Sequence, residues 1–238
     1  MSIRMFMALT IVAGLASVGK SEDNVLTPEE KAAGFELLFN GKDLERFEPR
    51  LSYGQWIVEE GAFRTCLFGQ AAKYVPPPHL FTAQEFGNYI LKVDFKLPPE
   101  PKDTHSGIIL RVEGSHTYTE EKGLEINIFG AGRKLGLNST GSIRHELQAP
   151  SKNALKGGGA WNQFVITMQD NRLTVDLNGA KINELNLDQW DKALKRPDGS
   201  DTRMRIPLTA LPKKDSIGFR TDHGAPIWYK NVKIKTLP

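Results

Sequence analysis

From Gly34 onward, apolar and polar residues alternate with the two-residue period of half-buried strands. Leu91, Val93 and Phe95 alternate with Lys92, Asp94 and Lys96. Leu173, Val175 and Leu177 alternate with Thr174 and Asp176, then meet Asn178-Gly179, a strong hairpin signal. The partner strand is expected at Ala180–Leu185. Further strands are expected at Phe35–Phe39, Trp56–Glu59, Ala62–Thr65, Gly107–Glu113, Leu124–Phe129, Ser142–Leu147, Phe164–Gln169, Ile217–Thr221 and Ile227–Lys235. Turn residues separate them, including Asn40-Gly41, Pro76-Pro77-Pro78 and Gly157-Gly158-Gly159. So many short strands with little helical period predict an antiparallel sandwich or barrel. The last run, with Trp228, Val232 and Ile234 on one side, is expected to close a sheet. Leu187 to Lys214 lacks strand character and reads as a surface excursion with a short helix near Trp190.

The first 33 residues follow other rules. Met1 to Arg4 is a short basic start, Met5 to Val18 is uncharged and apolar, and Ser17-Val18-Gly19 supplies small residues for cleavage. This is the layout of a secretory signal peptide over 1–19, too short to span a bilayer comfortably. A polar segment, 20–33, follows. Within it Thr27-Pro28-Glu29-Glu30 predicts a capped short helix. One domain over 34–238 is expected, in an exported protein that is periplasmic or secreted.

Composition narrows the function classes. A hydrophobic share of 39% beside 25% charged residues is ordinary for a globular chain and excludes a disordered or polytopic membrane protein. A net charge of +3, with scattered basic residues and no recognition motif, argues against nucleic acid as partner. One cysteine, Cys66, can form no internal disulfide and no thiolate metal site; it reads as a small packing residue. The glycine runs lack the strand-to-helix setting of a nucleotide loop. No Gly-x-Ser-x-Gly elbow marks an esterase.

Polar residues on the expected strands carry the candidate chemistry. In Leu124-Glu125-Ile126-Asn127-Ile128, Glu125 and Asn127 face opposite the apolar residues. Glu125 is either a general base in a cleft or an ordinary solvent-facing residue. Arg111 is expected on the Gly107–Glu113 strand, sharing a face with Ile109 and Glu113, where it pairs with Glu125, donates to a substrate oxygen, or forms a surface ion pair with Glu113 or a neighbour. Asp222-His223-Gly224 lies between two strands, at the rim of a cleft or in a plain turn; His223 there could move a proton near neutral pH. Parity puts Arg144 and Glu146 on one side and His145 with Ile143 and Leu147 on the other, making Arg144 the cleft candidate. His105 and His116 could reach the rim. Trp56, Trp161, Trp190 and Trp228 read as core, with stacking on a bound ligand as the alternative for Trp161. No short ligand spacing marks zinc, and no oxygen-rich loop marks calcium.

Taken in order, several segments resemble the 3-keto-disaccharide hydrolase domain family. They are Gly34-Phe35-Glu36-Leu37-Leu38-Phe39-Asn40-Gly41-Lys42-Asp43-Leu44, Trp56-Ile57-Val58-Glu59-Glu60-Gly61-Ala62, Phe86-Gly87-Asn88-Tyr89 and Ser106-Gly107-Ile108. Gly123 to Ile128, Thr140 to Ile143, Gly159 to Asn162, Asn171 to Gly179 and Asp222 to Ile234 continue the series. The resemblance implies a concanavalin A-like jelly roll, two curved antiparallel sheets with a concave sugar-binding face. The family's last motif usually carries glutamine before Asp-His-Gly; this chain has Arg220 there and one extra residue, which implies an altered specificity.

The implied activity is cleavage of the glycosidic bond in 3-keto glycosides or disaccharides by elimination and hydration. Glu125 or His223 is then the base, with Arg111 or Arg144 on the enolate oxygen and Asn127, Arg144, Trp161, Arg220 and Asp222 binding substrate. No cofactor is implied with certainty, and a divalent metal ion is the alternative to the arginine. The partner is carbohydrate, without nucleic acid and without a membrane span after leader removal. The competing reading is a lectin-like, non-catalytic binding module. Direct glycoside hydrolysis is disfavoured. Laminarinase-type enzymes on this fold carry a Glu-x-Asp-x-x-Glu-like strand, and here Glu125-Ile126-Asn127-Ile128-Phe129-Gly130 has one acid.

Overall fold

The structure is a computed structural model, and it describes residues 22–49, 55–66, 79–101, 104–112, 123–130, 135–144, 147–220 and 226–238. The expected leader (1–19), Asp222, His223, His116, His145 and Glu146 lie outside the described residues. Thirteen strands, one short α-helix and two 3-10 helices, Leu187–Gln189 and Leu208–Ala210, order the described chain. They are α1 (Pro28–Ala32), β1 (Glu36–Leu37), β2 (Phe47–Pro49), β3 (Gln55–Glu59), β4 (Ala62–Cys66), β5 (Leu80–Phe86) and β6 (Tyr89–Lys96). There follow β7 (His105–Leu110), β8 (Leu124–Phe129), β9 (Trp161–Gln169), β10 (Arg172–Leu177), β11 (Ala180–Asn186), β12 (Asp215–Phe219) and β13 (Trp228–Thr236). Among the described residues no helix is long and apolar enough to cross a membrane.

The strands form two antiparallel sheets packed as a jelly-roll sandwich. The larger has eight strands, β11-β10-β9-β6-β13-β4-β3 with β1 also paired to β13; the smaller runs β2-β5-β12-β7-β8. Alternation sorts the faces. In β6, Tyr89, Leu91, Val93 and Phe95 are buried while the residues between them are half-exposed. One core fills the space between the sheets. Phe63 (β4) and Tyr229 (β13) meet Phe219 (β12) across it, with ring centroids 5.1 Å apart for Phe63–Phe219 and for Phe219–Tyr229. Edge-on aromatic pairs add roughly 0.5–1.5 kcal/mol each beyond burial. Phe81, Ile109 and Val112 form a separate buried cluster. Ile109 alternates with the core residues Ile108 and Leu110, so this cluster marks the outer face of the smaller sheet.

Four expectations are corrected. Among the described residues of Ser142–Leu147 there are only isolated bridges, Ile143 pairing with Ile126 and with Gln148. Its Ile143 is nonetheless in the core, so the segment lies beside β8 as a short sixth row. The pattern does not predict β2 and β5; in β5, Leu80, Phe81 and Thr82 are buried and Ala83, Gln84 and Glu85 exposed instead of alternating, because its register shifts against β12 between Ser216 and Gly218. β7 ends at Leu110, since Arg111 turns into the left-handed region (φ 51°), and Arg111 leaves the face assigned by strict alternation. In β13 a bulge with Asn231 at φ 51° inserts one residue, so Val232 and Ile234 face the core while Trp228 faces outward.

The N-terminal segment is stitched onto the outer face of the larger sheet. Thr27 and Glu30 form the expected capping box of α1. Glu30 also takes hydrogen bonds from Lys92 Nζ at 2.8 Å and Lys233 Nζ at 2.7 Å. Asn24 and Asn231 exchange two further bonds. Burial raises the Glu30 pKa, but the bonds from Lys233 and Lys92 outweigh it and leave the value at about 2. The folded value lies below the unfolded 4.5, so Glu30 stabilises the fold fully above pH 4.5 and loses that contribution as pH falls toward 2. Thermal melts at pH 7 and pH 3 are expected to show wild type above Glu30→Gln at pH 7 and a smaller gap at pH 3, where part of the contribution is already lost.

Candidate functional site

The outer face of the smaller sheet gathers charge around Glu125. Leu124, Ile126 and Ile128 on β8 point into the core, which turns Glu125 and Asn127 outward. Even so, Glu125 has no exposed surface. Nη1 of Arg144 lies 3.1 and 3.4 Å from its two oxygens, and Nη1 of Arg220 lies 3.1 and 3.2 Å from them. Nε2 of His105 is 4.0 Å from Oε1. The side chains of Arg144, Arg220 and His105 keep 18%, 11% and 21% of their surface exposed. The carboxylate therefore lies beneath the two guanidiniums, and the His105 ring keeps part of its edge exposed while its Nε2 is buried toward the carboxylate.

The backbone explains why these residues converge. Arg144 N donates to Glu125 O at 3.0 Å and Asn127 N donates to Ser142 O at 2.9 Å, so Arg144 and Ser142 line up beside Glu125 and Asn127. Arg220 follows the last residue of β12, and its N donates to Gly107 O at 2.9 Å. The ladder pairs Gly107 with Asn127 and Ile109 with Glu125. The carboxylate lies over Gly107: a Cβ there would be 2.5 Å from Oε1 and 2.9 Å from Cδ. Glycine in a strand interior here serves close approach, at the cost of local packing.

A buried hydroxyl pair supports Arg220 from inside the sandwich. Ser106 Oγ donates to Arg220 O and shares a 2.7 Å hydrogen bond with Tyr229 OH. Burial raises the Tyr229 pKa far above that of an ordinary phenol, so the ring stays neutral. Tyr229→Phe is expected to destabilise the protein by about 1–3 kcal/mol, the cost of stranding a buried hydroxyl, as read by chemical denaturation.

Asn127 donates through Nδ2 to Asn138 O at 3.0 Å and to Ser139 O at 3.3 Å. Its Oδ1 and the Ser142 Oγ, both buried, have no hydrogen-bond partner among the described residues. They give the face two polar atoms able to meet hydroxyls or water.

The structure brings together Glu125, Asn127, Arg144 and Arg220 from the candidates read in the sequence. It also brings His105, read as able to reach the rim, beside Glu125, and it adds Gly107, whose signal was a glycine inside a strand pattern. It does not bring Arg111 to them. Arg111 is buried beyond the far end of β7, where Nη1 donates to Asn171 Oδ1 at 3.1 Å and Nη2 donates to Asp170 O. It thus ties β7 to the β9–β10 turn of the other sheet, and burial lowers its pKa from the ordinary guanidinium value. Trp161 is also elsewhere: it pairs with Lys96 on the outer face of the larger sheet, with both sheets between it and Glu125. Among the described residues, no group of three or more His, Cys, Asp or Glu side chains gathers as a metal site.

The sequence profile of the 3-keto-alpha-glucoside-1,2-lyase-like domain matches residues 34–235. The chain belongs to this family. Its fold is shared by two solved candidate glycosyl hydrolases from Parabacteroides distasonis ATCC 8503. One is 24% identical with a TM-score of 0.70, over 91% of this chain and all of that one. The other is 26% identical with a TM-score of 0.68, over 85% of this chain and 99% of that one. No curated protein matches the chain. Family membership makes this a carbohydrate-active, glycosyl hydrolase-like protein, and the Glu125 cluster lies within the matched span.

Proposed function

We propose that this protein is exported, to the periplasm or beyond, and hydrolyses the glycosidic bond of 3-keto glycosides or disaccharides by elimination followed by hydration. Export rests on the leader pattern of residues 1–19. The chemistry rests on one observation above all: a single carboxylate clamped by two arginines. Direct glycoside hydrolysis needs two carboxyl groups roughly 5–9.5 Å apart. Among the described residues, the outward positions of β7, β8, the Ser142–Arg144 row and Arg220 offer Glu125 alone. Elimination needs something different: a base, and cationic donors for an oxyanion.

A ketone at C3 acidifies the hydrogen on C2. A base takes that proton, its electron pair forms the C1–C2 double bond through the enolate, and the C1–oxygen bond breaks. The leaving oxygen takes a proton. Water then adds, hydroxyl to C1 and hydrogen to C2, releasing the 3-keto sugar. Arg144 and Arg220 present the donors for the C3 oxygen as charge develops there. Glu125, without surface of its own, orients them. The C2 proton goes to an imidazole, that of His105 or that of His223, a step that contributes roughly 10²–10⁴-fold.

Purified protein is incubated with a 3-keto disaccharide and with its unoxidised parent, with and without chelator, and released sugar is followed. Cleavage of the keto form alone is expected. Cleavage of the parent would replace elimination by ordinary glycoside hydrolysis. Saturable binding without cleavage of either would make the domain a binding module.

A further inference from the structure

A second feature lies on the opposite outer face. Trp161, Lys96, Trp228 and Arg64 stand in one row across β9, β6, β13 and β4, each directly opposite the next in the ladder. Neighbours along a row are about 5 Å apart, so cations and indoles interleave. Lys96 Nζ is 5.1 Å from the Trp161 ring centroid and 4.9 Å from that of Trp228. Lys230 Nζ is 4.3 Å from the Trp161 ring, and the Arg64 guanidinium is 6.0 Å from the Trp228 ring. The bulge at Asn231 creates the row by turning Trp228 outward.

The charges in the row are not equally committed. Arg64 is paired with Glu59, which also accepts from Trp228 Nε1 at 3.1 Å. Lys230 is paired with Asp23 at 2.6 Å. Glu59 has its pKa lowered first by Arg64 and Trp228, and also by the more distant charge of Lys96. Lys96 itself has no carboxylate within salt-bridge distance among the described residues; its contacts are the two indoles. Exposed Lys156 donates to Trp161 O at 3.3 Å and likewise has no carboxylate partner among the described residues. Among the described residues, two ammonium groups without a salt-bridged carboxylate therefore flank Trp161, whose own Nε1 has no protein acceptor there.

We propose that this row is a second saccharide-binding surface, separate from the Glu125 cluster, and that its ligand is an acidic, carboxylate-bearing polysaccharide. The protein's own cations lie against the indole rings, so the row is not laid out as a bare stacking platform for a neutral sugar. What Lys96, Lys156 and Trp161 Nε1 offer outward are donors only, two of them charged, and a ligand that meets them must supply acceptors and negative charge. The indoles hold the Lys96 ammonium in place by cation–π attraction, worth roughly 0.5–1 kcal/mol at exposed sites, which limits the freedom lost on binding. That the polyanion is a saccharide rests on the proposed function; that it is anionic rests on the row itself.

The test uses the whole purified protein and polygalacturonate as probe, with dextran and single-stranded DNA as comparators, read by calorimetric titration at two salt concentrations. Polygalacturonate is expected to bind saturably and to weaken with salt, while dextran does not bind and DNA binds at least tenfold more weakly. Lys96→Gln with Lys156→Gln is expected to reduce affinity at least tenfold; Lys195→Gln, the removal of one charge from the distant excursion, should change it less than twofold. Equal binding of dextran or DNA would overturn the proposal, as would equal loss from Lys195→Gln. Loss of binding in Glu125→Gln with retention in the lysine variant would place the ligand at the other face and also overturn it. The readout is binding, so absent turnover at the Glu125 cluster would leave this result intact.

Discussion

Glu125→Gln is expected to lower cleavage of a 3-keto glycoside by at least about a hundredfold and to destabilise the fold by about 3–5 kcal/mol. Both effects have one origin. Arg144 and Arg220 each place Nη1 against both carboxylate oxygens of a side chain with no exposed surface. Removing one partner of a buried ionic cluster leaves charge desolvated without its counter-ion, and that loss runs to about 3–5 kcal/mol. The neutral amide preserves shape and removes the charge that orients the guanidiniums, so the donors for the enolate oxygen lose their fixed geometry. Steady-state kinetics with guanidinium denaturation of the same variant check the pair of effects. A variant that unfolds more readily but cleaves at the wild-type rate would confine Glu125 to structure.

The second large effect is expected at a residue without a side chain. Gly107→Ala places a methyl group 2.5 Å from Glu125 Oε1, 2.7 Å from Cγ and 2.9 Å from Cδ. The carboxylate cannot simply swing away, because two arginines hold it. The substitution is expected to cost about 1–3 kcal/mol in stability, the usual range for overpacking, and to reduce cleavage at least tenfold. A double-mutant cycle isolates the cause: in a Glu125→Ala background the added methyl group has room, and Gly107→Ala should then cost much less. Additive costs in the cycle would show that the alanine acts on the β7 backbone and not on the carboxylate.

Arg220 links the chemistry of the site to the fold. Its backbone is bonded to Gly107 O and to Ser106 Oγ, and its side chain reaches Glu125. Ser106 and Gly107 are consecutive in β7, so one residue fixes the arginine from the core while the next makes room for the carboxylate. Tyr229 completes this from the other sheet. Its neighbour Trp228 faces out into the Lys96 row, so adjacent residues of β13 serve the two outer faces of the sandwich.

Local spacing along the chain is enough for the strand class, for the two-residue alternation and thus for which residues of β6, β8 and β10 face the core. It also carried the capped helix at Thr27–Glu30 and the family, because these rest on local spacing and turn chemistry. Glu125 and Asn127 were legible as outward-facing for the same reason. Tertiary structure alone decided their neighbours. Arg144 arrives through an irregular row, Arg220 through strand order, and His105 through a ladder register set by pairing at a distance in the chain. Alternation also fails wherever a residue is inserted or a strand ends. The left-handed turn at Arg111 and the bulge at Asn231 each reversed an assigned face, sending Arg111 to the β9–β10 turn and Trp228 outward. A two-residue period fixes which side of a strand a residue occupies only until the backbone adds or turns one residue, and it never fixes which strand lies beside it.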